Sequence, residues 1–164
     1  MRRDSRLSRS LHLLIHMDRF PDPVTSDHLA KMVATNPVVI RRMMQGLKKT
    51  GLVSSGKGHG GGWVLAKPLA EITLLDVHEA LGATVVFNIG LADDNPQCLV
   101  ERAVREKLTQ AMSEAEGVLL QSFASIRLSE IASDLETQLA ALGSDQNRLP
   151  ICIPERASKA DQVD

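Results

Sequence analysis

Apolar positions along the first eighty residues recur at helical spacing in three short runs and then give way to strand-like blocks. Leu7, Leu11, Leu14 and Ile15 fall on one side of a first helix that ends before the Pro21-Asp22-Pro23 turn. Leu29, Ala30, Met32 and Val33 supply the inward side of a second helix, capped by Thr25 or Ser26 and ended by Thr35-Asn36. A third helix opens with Asn36 as N-cap and Pro37 at the first helical position, where a missing N–H costs nothing; it runs to Thr50 and stops at Gly51. Residues 52–55 and 63–66 then read as two strands joined by Gly56-Lys57-Gly58-His59-Gly60-Gly61-Gly62, a flexible hairpin tip that is also basic. After Pro68, residues 73–81 predict a capped amphipathic helix.

Two helices with a tight connection, followed by a hairpin, make a helix-turn-helix with a wing. The fold class expected is therefore mainly α: a winged helix-turn-helix domain with a two-stranded wing, plus a long C-terminal dimerisation helix. Residues 83–96, with Gly90, Asn95 and Pro96, read as a connection, and a long helix starts near Gln97 and continues to about Ser122. Val100, Val104, Leu108, Ala111, Met112, Ala115, Val118 and Leu119 form its apolar stripe, with Glu101, Arg105, Glu106 and Glu114 on the other side. A helix of that length, set apart from the first core, needs a partner to cover the stripe, and a homodimer is expected. A further helix covers roughly 128–142. The expected organisation is a DNA-binding domain at 1–82, a connection at 83–96, dimerisation helices at 97–142 and a mobile polar tail at 143–164.

A net charge of -1 conceals a sharp division: residues 1–70 carry a net +8 and residues 71–164 a net -9. A basic half suited to a polyanion and an acidic half with another task follow from that division. The apolar stretch at 11–15 is broken by His12 and followed by His16 and Asp18, so it is neither a signal segment nor a membrane span, and a cytoplasmic protein is expected. Cys98 and Cys152 cannot supply a disulfide framework and are expected to be free thiols. Three Phe, one Trp and no Tyr argue against a stacking surface for single strands.

On the third helix Ile40, Met43, Met44 and Leu47 share one face, while Val38, Arg41, Arg42 and Gln45 share the opposite one. The second set suits a major groove: arginine pairs bidentately with guanine, glutamine with adenine, and an apolar side chain meets a thymine methyl. Lys48, Lys49, Arg2, Arg3, Arg6 and Arg9 are candidates for phosphate contacts, which add affinity without reading sequence. Lys57 and His59 in the wing can enter or flank a narrow minor groove, although His59 equally fits a plain exposed turn residue. Gly51 to Gly58 matches most of a phosphate-loop pattern, but Gly58 stands where Ser or Thr would hold magnesium. The segment also runs from helix into strand, the reverse of a phosphate loop. No paired-carboxylate or metal motif appears, and no base is spaced to serve Cys98, so an enzyme is not expected.

Asn36-Pro37-Val38-Val39-Ile40-Arg41-Arg42, Gly51-Leu52-Val53, Gly60-Gly61-Gly62-Trp63-Val64-Leu65-Ala66 and Ile72-Thr73-Leu74-Leu75-Asp76-Val77 together resemble the Rrf-two family of winged-helix regulators. The resemblance implies a homodimer joined by the long helix and bound to a palindromic duplex operator, and the expected role is repression of a promoter. Cluster-binding members present three closely spaced cysteines near the start of that helix, where this chain has only Cys98. A cluster needs about four ligands, normally thiolates, so no cofactor is expected. The chain is closer to the cluster-free branch, some of whose members sense an oxidant or electrophile through a thiol. Cys98, at a helix start where the dipole favours thiolate, is the candidate sensor, the alternative being a silent buried thiol. The rival to DNA binding is a winged-helix dimer that docks a protein through the wing or the tail.

Overall fold

A computed structural model of the 164-residue chain describes residues 5–56, 58, 61–82 and 97–142. The connection at 83–96, the tail with Cys152, and Arg2, Arg3, Lys57 and His59 lie outside the described residues. Three helices come first: α1 (Arg6–Met17), α2 (Ser26–Met32) and α3 (Pro37–Lys49). Strands β1 (Val53–Ser55) and β2 (Trp63–Leu65) follow, then a 3-10 turn at Leu69–Glu71, α4 (Leu74–Ala80), α5 (Leu99–Ser125) and α6 (Leu128–Leu142).

Local chemistry accounts for most boundaries. The Thr25 hydroxyl accepts from the His28 N–H and caps α2, and the Asn36 side chain accepts from the Val38 N–H at 2.8 Å ahead of Pro37. Thr73 and Asp76 form a reciprocal capping box at the start of α4. At the end of α3, Gly51 takes φ +73° while the Leu52 N–H reaches back to the Leu47 carbonyl at 2.9 Å. The end of α2 has the same closure, Thr35 N–H to Ala30 carbonyl at 2.9 Å, but the left-handed position is held by Ala34 at φ +47°. An alanine there costs about 1–2 kcal/mol relative to a relaxed backbone. The tight helix-turn-helix junction is thus imposed by packing on both sides of it rather than by a turn residue.

The two strands pair antiparallel, with Val53 opposite Leu65 and Ser55 opposite Trp63. A third segment that the sequence pattern does not reveal adds to this edge: Val24 and Trp63 exchange backbone hydrogen bonds at 3.0 and 2.8 Å. A Cβ on Gly62 would stand 2.9 Å from the Pro23 and Val24 backbone, so this glycine allows the contact between wing and α1–α2 link. The core gathers Leu13, Leu14, Leu29, Ile40, Met44, Leu47, Ile72 and Val77. Leu128, from the start of α6, is fully buried with them, and the Leu74 N–H and Leu128 N–H bond the carbonyls of Ile126 and Ile72. The C-terminal helices are therefore rooted in the same core as the winged helix.

The α5 stripe divides in two. Val100, Val104, Leu108 and Val118 are exposed large hydrophobics pointing away from the chain's own core. Met112 and Leu119 instead turn inward and are half-buried, on the same side as Glu101 and Arg105, which pair at 3.9 Å. The sequence pattern assigns those two charged residues to the outer side; the contact of α5 with α4, with Phe123 edge-on to His78, sets the rotation of the helix instead.

A histidine pair lies in α1, His16 buried and His12 half-buried. His12 and His16 stack with centroids 4.6 Å apart, and neither His12 Nε2 nor His16 Nδ1 has a hydrogen-bond partner. Burial, then the neighbouring His12 and Arg19 charges, push His16 down to about 4.

Two predictions follow from this packing. A Cβ on Gly46 would meet the Ala80 carbonyl oxygen at 2.6 Å, whereas one on Gly117 meets nothing within 4 Å. Gly46→Ala should lower unfolding free energy by about 1–3 kcal/mol in urea titration, and Gly117→Ala should raise it by up to about 1 kcal/mol. The second concerns pH. Between pH 6.5 and about 4 the unfolded chain takes up a proton that folded His16 refuses, so stability is intact above 6.5 and falls as pH drops through that window. The slope approaches about 1.4 kcal/mol per pH unit for one full proton. Thermal melts of His16→Leu should lose this component, and an unchanged slope would count against it.

Candidate nucleic-acid interface

With Ile40, Met43, Met44 and Leu47 turned into the core, α3 presents its other side to solvent. Val38, half exposed at 50%, and Val39 stand near its first turn, followed by exposed Arg41, Arg42, Gln45, Lys48 and Lys49. The side chains are not all free to swing. Arg41 lies 3.8 Å from Asp27 at the start of α2, a loose exposed pair that orients more than it stabilises. Lys48 donates to the Ser55 hydroxyl on β1 at 2.7 Å, which ties the end of α3 to the wing.

Two concavities flank the helix. The first, about 400 Å³, lies between α2, α3 and the wing, and brings Arg41 and Gln45 together with Ser26, Asp27, Ser55 and Trp63. Trp63 Nε1 donates to the Ser26 hydroxyl at 2.9 Å, so the base of the wing is pinned to the first turn of α2. The second, about 320 Å³, is bounded by α1, α3 and α4, and joins Arg42 with Arg6 and Val39. Arg6 donates to the Leu81 carbonyl at 3.4 Å. Arg9 is half-buried on α1, less open than the sequence pattern suggests.

Of the residues singled out in the sequence, Val38, Arg41, Arg42, Gln45, Lys48 and Lys49 are exposed on α3 and Arg6 lines the concavity beside Arg42, while Lys57 and His59 lie outside the described residues. Ser26, Asp27 and Ser55 escaped that selection. Each is a short polar residue whose meaning comes from the residue packed opposite, and the single usable signal was Trp63, a lone aromatic beside a glycine run.

Cys98 is the N-cap residue of α5, half-buried and a free thiol, and its carbonyl accepts from the Arg102 N–H at 3.1 Å. Among the described residues no group of three or more His, Cys, Asp or Glu could hold a metal ion. With two cysteines in the whole chain, the donors present do not fit an iron–sulfur cluster.

A helix-turn-helix braced by a two-stranded wing, with a cationic outer face on its second helix, defines the winged-helix class. Within that class the chain belongs to the Rrf2 family, whose model, described as an iron-dependent transcriptional regulator, matches residues 3–134. The chain is 31% identical over 134 residues to YwnA of Bacillus subtilis strain 168, a protein named as an HTH-type transcriptional regulator, covering 80% of this chain and 98% of that one. A crystal structure described as a DNA-binding protein superposes with TM-score 0.62 at 32% identity, over 77% of this chain and 98% of that one. A transcriptional regulator from Lactobacillus plantarum shares the fold at TM-score 0.71 and 22% identity, over 87% and 97% of the two chains. Family membership supports DNA-binding regulation as the broad function. Among the described residues no helix is long and apolar enough to cross a membrane.

Proposed function

We propose that the chain is a repressor that binds a palindromic operator as a homodimer, with α3 in the major groove. The observation that carries this reading is the outer face of α3, where Val38, Arg41, Arg42 and Gln45 stand exposed on a helix whose opposite face is locked in the core. Arginine and glutamine read base edges, and Val38 offers an apolar surface for a thymine methyl. Arg6, Arg9, Lys48 and Lys49 contribute phosphate contacts, and Lys57 and His59 carry the wing toward the minor groove. A dimer seated on a promoter excludes other proteins by volume, which gives repression as the sign of control.

The dimer reading rests on α5. Val100 is 71% exposed and Val118 66%, and Val104 and Leu108 lie between them on a face that nothing in the chain covers among the described residues. At about 25 cal/mol per Å² of apolar area, leaving such a stripe in water is unfavourable by several kcal/mol. Pairing across a two-fold axis removes it and sets two recognition helices about 34 Å apart for successive major grooves. Cys98, where α5 begins, is proposed as the point at which an oxidant or electrophile alters that spacing. Its thiolate would attack a peroxide O–O bond to give a sulfenic acid, with the other oxygen leaving as hydroxide or water.

Three measurements test these points. Genomic fragments retained by the purified protein supply the operator; its affinity should fall steeply with salt, and Arg42→Ala should cost about 1–3 kcal/mol and blur discrimination against random DNA. Salt-insensitive or absent DNA binding would favour protein docking instead. Leu108→Asp should give a monomer or aggregate in sedimentation that binds the operator poorly, and a monomeric parent would overturn the dimer. Mild peroxide or a quinone should weaken operator binding by the parent but not by Cys98→Ser, with the modified thiol mapped by mass spectrometry; equal responses would dismiss the switch.

A further inference from the structure

Away from the α3 surface, α1, the 3-10 turn and α6 enclose a cavity of about 280 Å³. It sits at the small end of ligand sites, which run from about 300 to 1,000 Å³. Arg19 reaches it from the end of α1 with its side chain only 8% exposed. A guanidinium carries five donors, and the hydrogen bond this one makes runs from Nη1 to Glu136 Oε1 at 3.0 Å, while its Nε is buried with no partner. With Nε enclosed, it is the remaining Nη hydrogens of this nine-tenths-buried cation that are left for a further oxygen ligand on the cavity side.

The rest of the lining defines what that ligand must be. Asp18 and Glu136 are both exposed and both line the cavity, so a simple anion would meet two carboxylates against one arginine. A zwitterion leaves that net charge unchanged but sets each of its charges against an opposite one, an ammonium group beside the acids and a carboxylate on Arg19. Ser129 and Ser133 add hydroxyls that donate or accept, and Ile15, Leu69, Ala132 and Leu135 supply an aliphatic wall.

We propose that the cavity between α1 and α6 binds a free α-amino acid with a small or aliphatic side chain, its carboxylate on Arg19 and its ammonium toward Asp18 and Glu136. The site fastens α1, part of the winged helix, to α6, the continuation of α5. Its occupancy stiffens the junction between the two parts of the chain. The inference does not depend on DNA binding, because ligand uptake is measured without DNA.

The test uses the full chain with each common L-amino acid in turn, read by thermal shift and by calorimetric titration. At least one small or aliphatic member should raise the melting temperature saturably, and its methyl ester, which lacks the charged carboxylate, should bind about tenfold more weakly or worse. Arg19→Gln strands Glu136 and can unfold the chain, so the informative variant is Ser133→Leu, which fills the cavity from an exposed position and leaves the ion pair in place. Loss of the shift in a Ser133→Leu protein that melts like the parent supports the site. No shift with any amino acid, equal binding of the ester, or an undiminished shift in Ser133→Leu overturns it.

Discussion

When α3 buries Ile40, Met44 and Leu47 completely, it also decides which residues remain outside, and the rest of the molecule is arranged around that commitment. The helix is held at both ends, by Asn36 at its start and by the Gly51 closure at its finish, and its middle is pressed against α4, where Gly46 meets the Ala80 carbonyl. A helix fixed in rotation and position along its axis can hold a set of side chains in constant register. That is the condition for reading a base sequence, because a slip of one residue, about 100°, would swing the outer face more than a quarter-turn away from its direction.

The wing is tied to the same support by three unlike contacts. Lys48 bonds Ser55, Trp63 bonds Ser26, and the Val24 backbone pairs with Trp63 alongside Gly62. None is large alone, but together they leave the root of the hairpin little freedom relative to α2 and α3.

The charge division along the chain becomes spatial in the structure. Among the described residues, Arg41, Arg42, Lys48 and Lys49 stand on the outer side of α3 with Arg6 at the nearby end of α1, while the acidic half supplies α5 and α6. Where the halves touch, Arg19 of the basic part is paired with Glu136 of the acidic part, an ion pair nine-tenths buried on the arginine side. The same junction holds Leu128 inside the core, so the helices that carry the exposed α5 stripe are anchored in the winged-helix core. A hydrophobic face on an anchored helix has a defined direction, which is what two-fold pairing requires.

Local sequence determined the three leading helices, the two strands, the caps at Asn36 and Thr73, and the outer face of α3, because each rests on neighbours within a few positions, while the choice of Thr25 over Ser26 as the α2 cap waited for the structure. Contacts between distant segments were decided only by the tertiary structure. Ala34 in a left-handed conformation has no sequence signal, since alanine is no turn residue and the strain is held by packing. The third strand-like segment at Val24, the buried His16, the inward turn of Glu101 and Arg105 and the cavity at Arg19 share that origin. In each the residue type gives one answer by itself and another when a partner far along the chain supplies the hydrogen bond, the charge or the exclusion of water.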